Sequence, residues 1–150
     1  LAQLALALLL LYALGFWPAG VSLSLGNAAA ALAAVLLASG LYFAMLFCIE
    51  SGAFWVDQIW ALSVMLQMIA VLLSGKWIPL DLFPQPLQQI LALTPFPYLA
   101  FFPVQVLLGS AAPGELLKGA AVLLVWLCGI AQLSRFLYRR GLHQYSGVGM

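Results

Sequence analysis

The chain has 150 residues, of which 66% are apolar and only 6% are Asp, Glu, Lys or Arg, and its formal net charge is +1. This composition, with a mean hydropathy of +1.14, excludes an ordinary soluble domain, and the near-zero net charge gives no electrostatic reason to bind DNA or RNA. We therefore expect an integral membrane protein that is surrounded by membrane lipid and has no nucleic-acid partner.

The first two apolar segments predict two membrane helices. Leu1 lies within an apolar run that continues to about residue 16 and ends at a stretch with Pro and Gly, residues 15–20, so we interpret it as a partial span of a longer protein. Asn27 suits a helix N-cap, and residues 28–49 are long enough to cross a bilayer. The many alanines of this second span allow close approach of other helices, which predicts a position deep in a bundle.

Two further spans complete the predicted bundle. Residues 50–52, Glu-Ser-Gly, break the second span, and residues 54–74 predict a third. The short turn between them makes the two spans antiparallel neighbours. Residues 113–115, Pro-Gly-Glu, have the sequence of a helix N-terminus and open a last span over residues 116–137.

Residues 75–109, between the last two spans, predict an apolar hairpin that enters the membrane and turns back. A helix over residues 98–108 would be about 16 Å long, roughly half of a hydrocarbon core of about 30 Å, and residues 86–93 are fewer still. Pro95 and Pro97 prevent the two pieces from forming one straight span. Because lipid offers no partner for bare peptide groups, such a hairpin indicates a transport protein or channel in which neighbouring protein shields it.

The predicted fold is therefore all-α, a single polytopic transmembrane domain over residues 1–150 with four spans and a re-entrant external helical hairpin before the last. Its orientation follows from the cations. Arg135, Arg139 and Arg140 cluster after the last span, whereas Lys76 and Lys118 lie singly near the other face. Since cytoplasmic segments carry the excess of Lys and Arg, we expect a cytoplasmic C-terminus and an external hairpin.

The sequence contains none of the residue patterns of an enzyme active site. His143 is the single histidine and has no Cys or acid at ligand spacing, and neither Gly-x-Ser-x-Gly nor a phosphate-binding Gly-x-x-x-x-Gly-Lys-Ser/Thr occurs. Cys48 and Cys128 lie in apolar segments without Cys-x-x-Cys spacing, and we interpret them as small buried packing residues. We expect no catalytic residue, cofactor or metal here; if ATP drives transport, a different polypeptide hydrolyses it.

Polar residues of the third span are the candidates for a transport path. Asp57 lies in its first turns, where an acid either marks a functional path or favours the positive end of the helix. Gln67 lies near the middle, where its amide needs a partner on another helix or on a substrate. Trp60 and Ser63 lie between them. The tryptophans offer either a binding surface for an aromatic or cationic compound or interfacial anchors: Trp55, Trp60, Trp77 and Trp126.

Several short motifs occur in a characteristic order along the chain. They are Phe54-Trp55, the stretch Gly75-Lys76-Trp77-Ile78-Pro79-Leu80 with Phe83-Pro84, then Thr94-Pro95-Phe96 followed by Pro103 and Gly109, and a tail from Arg139-Arg140 to Tyr145-Ser146 and Gly149. In this order and spacing the chain resembles the C-terminal part of an ABC-2 type transporter permease, in particular the six-helix exporter permeases encoded apart from their ATPase.

The resemblance carries several implications. It implies a permease of six spans in the bacterial inner membrane, paired with a second permease subunit as a homo- or heterodimer and driven by two cytoplasmic ABC ATPase subunits. The family's first two spans, and the cytoplasmic segment that couples to the ATPase, have no counterpart in these residues. A fragment that begins at Leu1 is therefore not expected to transport by itself.

The expected mechanism is alternating access, in which ATP binding draws the cytoplasmic ends together and a path between protomers opens outward. The hairpin would shape the external gate, with bends and ends fixed by Pro84, Pro95, Phe96, Pro97, Pro103 and Gly109. A secondary transporter or channel is the alternative, although such proteins usually carry more acids within their spans. A non-transporting membrane anchor would need no hairpin. The substrate stays open between drugs, lipids and peptides.

Overall fold

The computed structural model describes residues 24–110 and 112–144, and every regular element among them is helical. The all-α prediction is confirmed for this part of the chain. The predicted first segment, residues 1–16, lies outside the described residues. The helices are α1 (Leu25–Glu50), α2 (Trp60–Leu73), α3 (Gln85–Leu91), α4 (Phe101–Leu108) and α5 (Pro113–Gln144), with 3₁₀ turns at Ser51–Phe54, Leu80–Leu82 and Phe96–Leu99.

Two helices are long and apolar enough to cross a membrane. An 18-residue window within Leu25–Phe54 has a mean hydropathy of 2.4, and one within Gly114–His143 has 1.9. The predicted second and last spans fall within α1 and α5, which are about 39 and 48 Å long at 1.5 Å per residue. The predicted cap of α1 is wrong: the N-cap is Ser24, whose hydroxyl accepts the Gly26 N–H at 3.2 Å.

Helices α1 and α5 run parallel and pack closely. A Cβ built on Gly40 would contact Leu127 at 3.8 Å. Further along both helices, the Ser134 hydroxyl donates to the Ala44 carbonyl at 3.1 Å. The face of α1 that packs is made of small and aliphatic side chains spaced three or four residues apart, namely Ala31, Ala34, Ala38, Leu41, Ala44 and Met45. The small residues thus do what the sequence predicted, allowing two backbones to approach.

Helix α2 is shorter than the predicted third span. It begins at Trp60 rather than at Phe54, which belongs to a 3₁₀ turn, and its 14 residues are about 21 Å long. The predicted antiparallel arrangement is confirmed by its contacts. Ser63, near its start, hydrogen-bonds Glu50 at the end of α1, and the far end of α2 shares a cavity with Ala38, halfway along α1. The four-span topology stays a prediction.

The remaining length of α1 is covered by α4 and not by α2. The Phe101 N–H donates to the Ser74 carbonyl at 3.1 Å, which places the start of α4 against the end of α2. At the other end of α4, Gly109 lies beside Asn27 in the first turn of α1. Helices α2 and α4 therefore follow one another along α1, 14 and 8 residues respectively, with residues 75–100 inserted at the break.

Candidate functional site

The segment of residues 75–109 has a glycine turn at each end. Gly75 and Gly109 are the glycines with positive φ among the described residues, at 82° and 66°, a conformation that other residues adopt only at a cost. Gly75 turns the chain sharply out of α2, and a Cβ there would also press on Leu80 and Phe101 at 3.4 Å. Gly109 ends α4 in the left-handed conformation. The hairpin boundaries chosen from the sequence thus coincide with two backbone turns.

Prolines stand where the short helices of this segment begin. Pro84 is the extended N-cap of α3, and Pro95 is the N-cap of the 3₁₀ turn Phe96–Leu99. Pro97 is buried in that turn, and Pro103 is buried in the first turn of α4, where its missing N–H would have had no partner within the helix. The two predicted helical pieces are shorter than expected, because α3 ends at Leu91 and Tyr98 belongs to the 3₁₀ turn.

Three side-chain hydrogen bonds hold the turn between α3 and α4. The Thr94 hydroxyl donates to the Leu91 carbonyl at 2.7 Å, and the Tyr98 hydroxyl donates to the Ala92 carbonyl at 2.8 Å. The Trp126 Nε1–H donates to the Leu93 carbonyl at 2.9 Å, across 33 residues of sequence. The last of these ties the turn to the middle of α5.

A cavity of about 420 Å³ lies between this segment and the first turns of α5. Its wall combines aromatic rings with carboxylates, amides and one ammonium group: Leu80, Asp81, Gln88, Leu91, Ala92, Pro97, Tyr98, Phe101, Phe102, Gln105, Glu115, Lys118 and Gly119. Two of these polar groups already have partners. The Gln88 amide donates to the Phe83 carbonyl at 2.8 Å, and Glu115 Oε2 accepts the Ala112 N–H at 3.1 Å. From the sequence, Glu115 was predicted as an acid at the start of the last span.

The predicted transport-path residues do not converge on one point. Asp57 is exposed in the bend before α2, outside the helix in which it was expected, and Trp60 is the first residue of α2 with 67% of its surface exposed. Ser63 is buried and donates to Glu50 Oε1 at 2.6 Å. Glu50, the last residue of α1, is thus a hydrogen-bond acceptor between α1 and α2.

Gln67 lies on the wall of a second cavity, of about 200 Å³, at the break between α2 and α4. The other lining residues are Ala38, Ser39, Tyr42, Ala70, Val71, Ser74, Lys76 and Leu99. Within the described part of the chain, the Gln67 amide makes no hydrogen bond. Gln67 is itself exposed, and of the four predicted path residues it is the one that lines either of these two cavities.

The arginines lie within α5 and not after it. Arg135, Arg139 and Arg140 are exposed, and the helix continues past them to Gln144. Arg140 also places its guanidinium 4.4 Å from the centre of the Phe136 ring. Cations close to a helix C-terminus are stabilised by the helix dipole, so this end of α5 is electrostatically well suited to them.

The described residues contain no group of three His, Cys, Asp or Glu that could hold a metal ion. The prediction that both cysteines are buried is wrong, since Cys48 is half-buried and Cys128 is exposed. Cys128 instead belongs to the outward surface of α5, along which large apolar side chains such as Leu124 and Val125 are also exposed. A surface of this kind is typical of a helix that faces lipid.

The family of the chain follows from a comparison with protein-family models. The model for ABC-2 family transporter proteins matches residues 2–149. The chain belongs to this family. No curated protein and no solved structure matches it. The protein is thus an integral membrane permease subunit of an ABC transporter, a class that works with an ABC ATPase subunit, and the resemblance drawn from its motifs is confirmed.

Proposed function

We propose that this permease is the membrane subunit of an exporter, and that residues 75–109 contain a re-entrant hairpin at its external gate. Two permease subunits would enclose a path that opens by alternating access, driven by ATP binding and hydrolysis on two cytoplasmic ATPase subunits. The permease itself would carry no catalytic residue or cofactor. Its C-terminus would lie in the cytoplasm of a bacterial cell.

The length of the helices supports the hairpin. Helices α3 and α4 have 7 and 8 residues, about 10 and 12 Å, and neither approaches the roughly 30 Å of a hydrocarbon core. The hydrogen bond between Phe101 and Ser74 brings the chain back to the point where it left α2. These two properties support a segment that enters and leaves on one side of the membrane.

The hydrogen bonds of the turn carry the proposal. Peptide groups outside regular helices are tolerated at membrane depth only where protein or water satisfies them. The carbonyls of Ser74, Ala92 and Leu93 each have such a donor, from the Phe101 N–H, the Tyr98 hydroxyl and the Trp126 indole. Among the described residues, no buried side-chain polar atom lacks a partner. These three carbonyls therefore meet the condition that irregular backbone must satisfy at membrane depth.

The direction of the helices supports the orientation. Because α1 and α5 run parallel, the arginine-bearing end of α5 lies on the same side as Glu50, and the hairpin lies near the opposite ends. Arg135, Arg139 and Arg140 then face the cytoplasm by the excess of cations on that side. The hairpin faces the exterior, where a gate for export would be.

Cysteine labelling of the complete transporter tests the gate. The native thiols, Cys48 and Cys128, are replaced by serine, and single cysteines are introduced at Ala92, which is exposed, or at Ala100, which is half-buried. An impermeant thiol reagent is added from outside, with and without nucleotide trapped on the ATPase. We expect the reaction rate at either position to depend on nucleotide.

Ser110 provides the matched control, because it is exposed just beyond the hairpin. A cysteine there should react at the same rate in both states. Equal rates in both states at Ala92 and Ala100 would exclude a gating role for the hairpin. Reaction at these positions only from the cytoplasmic side would exclude the proposed orientation.

Transport itself needs a separate assay. The full-length permease is purified with its ATPase, and candidate compounds are tested for stimulation of ATP hydrolysis and then for accumulation in inverted membrane vesicles. Export predicts ATP-dependent uptake into inverted vesicles. Uptake into right-side-out vesicles alone would contradict the direction.

A further inference from the structure

The cytoplasmic end of α5 carries a surface that the proposed transport cycle does not use. Arg135, Arg139 and His143 follow one another at intervals of four residues, so they lie along one stripe of the helix. Arg140 lies beside this stripe with its guanidinium over the Phe136 ring, and all four basic side chains are exposed. We define these four residues, with Phe136 and Trp55, as the basic rim.

The basic rim is concave. One open cavity of about 450 Å³ is lined by Gln132 and by the rim residues of α5, and a second of about 440 Å³ is lined by Trp55, Leu137 and three of the same residues. The two share Phe136, Arg140 and His143. A group held there would therefore contact several cations at once, with the aromatic rings as its floor.

The cations of the rim are unneutralised. The whole sequence contains only four acidic residues, and none of the described ones forms an ion pair with Arg135, Arg139 or Arg140. Glu50, on the same side of the bundle, is engaged by the Ser63 hydroxyl. Among the described residues, the rim thus presents positive charge that no carboxylate pairs with directly.

The depth of the rim indicates what neutralises it. Between Lys118 and Arg135, α5 contains no charged residue, and this stretch is about 26 Å long, close to the thickness of a hydrocarbon core. Arg135 to His143 then covers the next roughly 12 Å, which is the headgroup layer and the adjoining water. Trp55 borders the second of the two cavities, and tryptophan favours this level of a bilayer.

We propose that the basic rim is a binding site for the phosphate headgroup of an anionic phospholipid. The arginines would donate charge-assisted hydrogen bonds to the phosphate oxygens, while Trp55 and Phe136 contact the glycerol backbone and the first methylenes. Basic pockets at the ends of membrane helices bind such headgroups. The site is independent of transport direction and of the external gate.

Native mass spectrometry of the full-length permease in detergent tests the proposal. The protein is incubated with equal amounts of phosphatidylglycerol and phosphatidylcholine, and retained lipid is counted. We expect a preference for phosphatidylglycerol that falls about fivefold for each arginine removed, hence roughly 25-fold in Arg139→Gln/Arg140→Gln. Free glycerol phosphate should not compete, because it lacks the acyl chains.

Two further variants separate charge at the rim from charge in general and from folding. Lys76→Gln/Lys118→Gln removes the same net charge at the other end and should keep the preference. Arg139→Lys/Arg140→Lys keeps the rim charge and should retain most of the preference for phosphatidylglycerol. This variant tests the proposal even if the glutamine variant folds poorly. Equal loss in both glutamine variants, no preference in the wild type, or competition by glycerol phosphate would overturn the proposal. So would unchanged lipid retention with lost ATPase binding, since the rim would then dock the ATPase.

Discussion

Gly119 is the position at which a single methyl group tests how the hairpin is seated on α5. The residue is buried, and a Cβ placed there would overlap the ring of Phe102, which is 8% exposed. Alanine is favoured over glycine within a helix by about 1 kcal/mol, whereas an extra methyl group in a packed core costs about 1–3 kcal/mol. We expect Gly119→Ala to destabilise the permease by between zero and about 2 kcal/mol.

A matched glycine isolates the packing contribution. Gly129 is exposed on the same helix, and nothing lies within 4 Å of a Cβ built there. Gly129→Ala should therefore stabilise the permease by the helix preference of alanine over glycine, with no packing cost. The difference between the two variants is then the cost of overpacking, about 1–3 kcal/mol, or roughly 2–12 °C in melting temperature by the scaling of soluble domains. Thermal unfolding of the full-length permease in detergent, followed by tryptophan fluorescence, measures it.

Removing the Phe102 ring tests whether the packing cost at Gly119 arises from this contact. In a Phe102→Leu background the ring is gone, so the gap between the Gly119 and Gly129 variants should shrink by about 1 kcal/mol or more. If the two glycine variants melt at the same temperature in the wild-type background, Phe102 does not lie on Gly119. An unchanged gap in the leucine background would likewise show that the cost arises elsewhere.

Three further changes test the contacts around the break. Trp126→Phe removes the indole N–H that donates to the Leu93 carbonyl. We expect the free energy of unfolding to fall by about 1 kcal/mol and a cysteine in the turn to be labelled faster. Unchanged labelling would show that this hydrogen bond does not restrain the turn. Ser134→Ala should lower the free energy of unfolding by about 1 kcal/mol, because the Ser134 hydroxyl joins two helices. Ser39→Ala loses a hydrogen bond within its own helix and should lower it by less. Equal melting temperatures of the two variants would contradict this. In Gly109→Ala, the alanine must adopt the left-handed conformation at a φ of 66°. We expect the free energy of unfolding to fall by about 1–2 kcal/mol in the same assay. An unchanged free energy of unfolding would mean that the turn relaxes freely.

The apolar pattern was sufficient to predict helices, and it failed where packing decides their ends. Phe54 opens an apolar run, which predicted helix from this residue onward. Its ring instead packs edge-on against Tyr138 at 5.8 Å and lies over Gly141. A contact between residues more than 80 positions apart leaves no local signal, so the sequence could not show that α2 begins only at Trp60.

The cap of α1 illustrates a different limit. Ser24 and Asn27 are both residues that cap helices well, and propensity alone does not choose between them. The structure uses the serine and places the asparagine beside Gly109. By contrast, Gly75 and Gly109 were predictable as hairpin boundaries, because a glycine next to an apolar run punctuates it locally. The cavity under the hairpin was not predictable, since its lining comes from separate segments.

The packing of the hairpin also indicates which half of it moves. Helix α4 packs extensively on α1 and on the adjoining 3₁₀ turn, whereas α3 packs extensively on none of the other described elements, and Leu91 is its buried residue. Segments with few buried contacts open at the lowest free energy. We therefore expect nucleotide to change labelling more at Ala92, which follows α3, than at Ala100, which precedes α4. Equal changes at the two positions would mean that the hairpin moves as one rigid body, and a larger change at Ala100 would contradict the reasoning from packing.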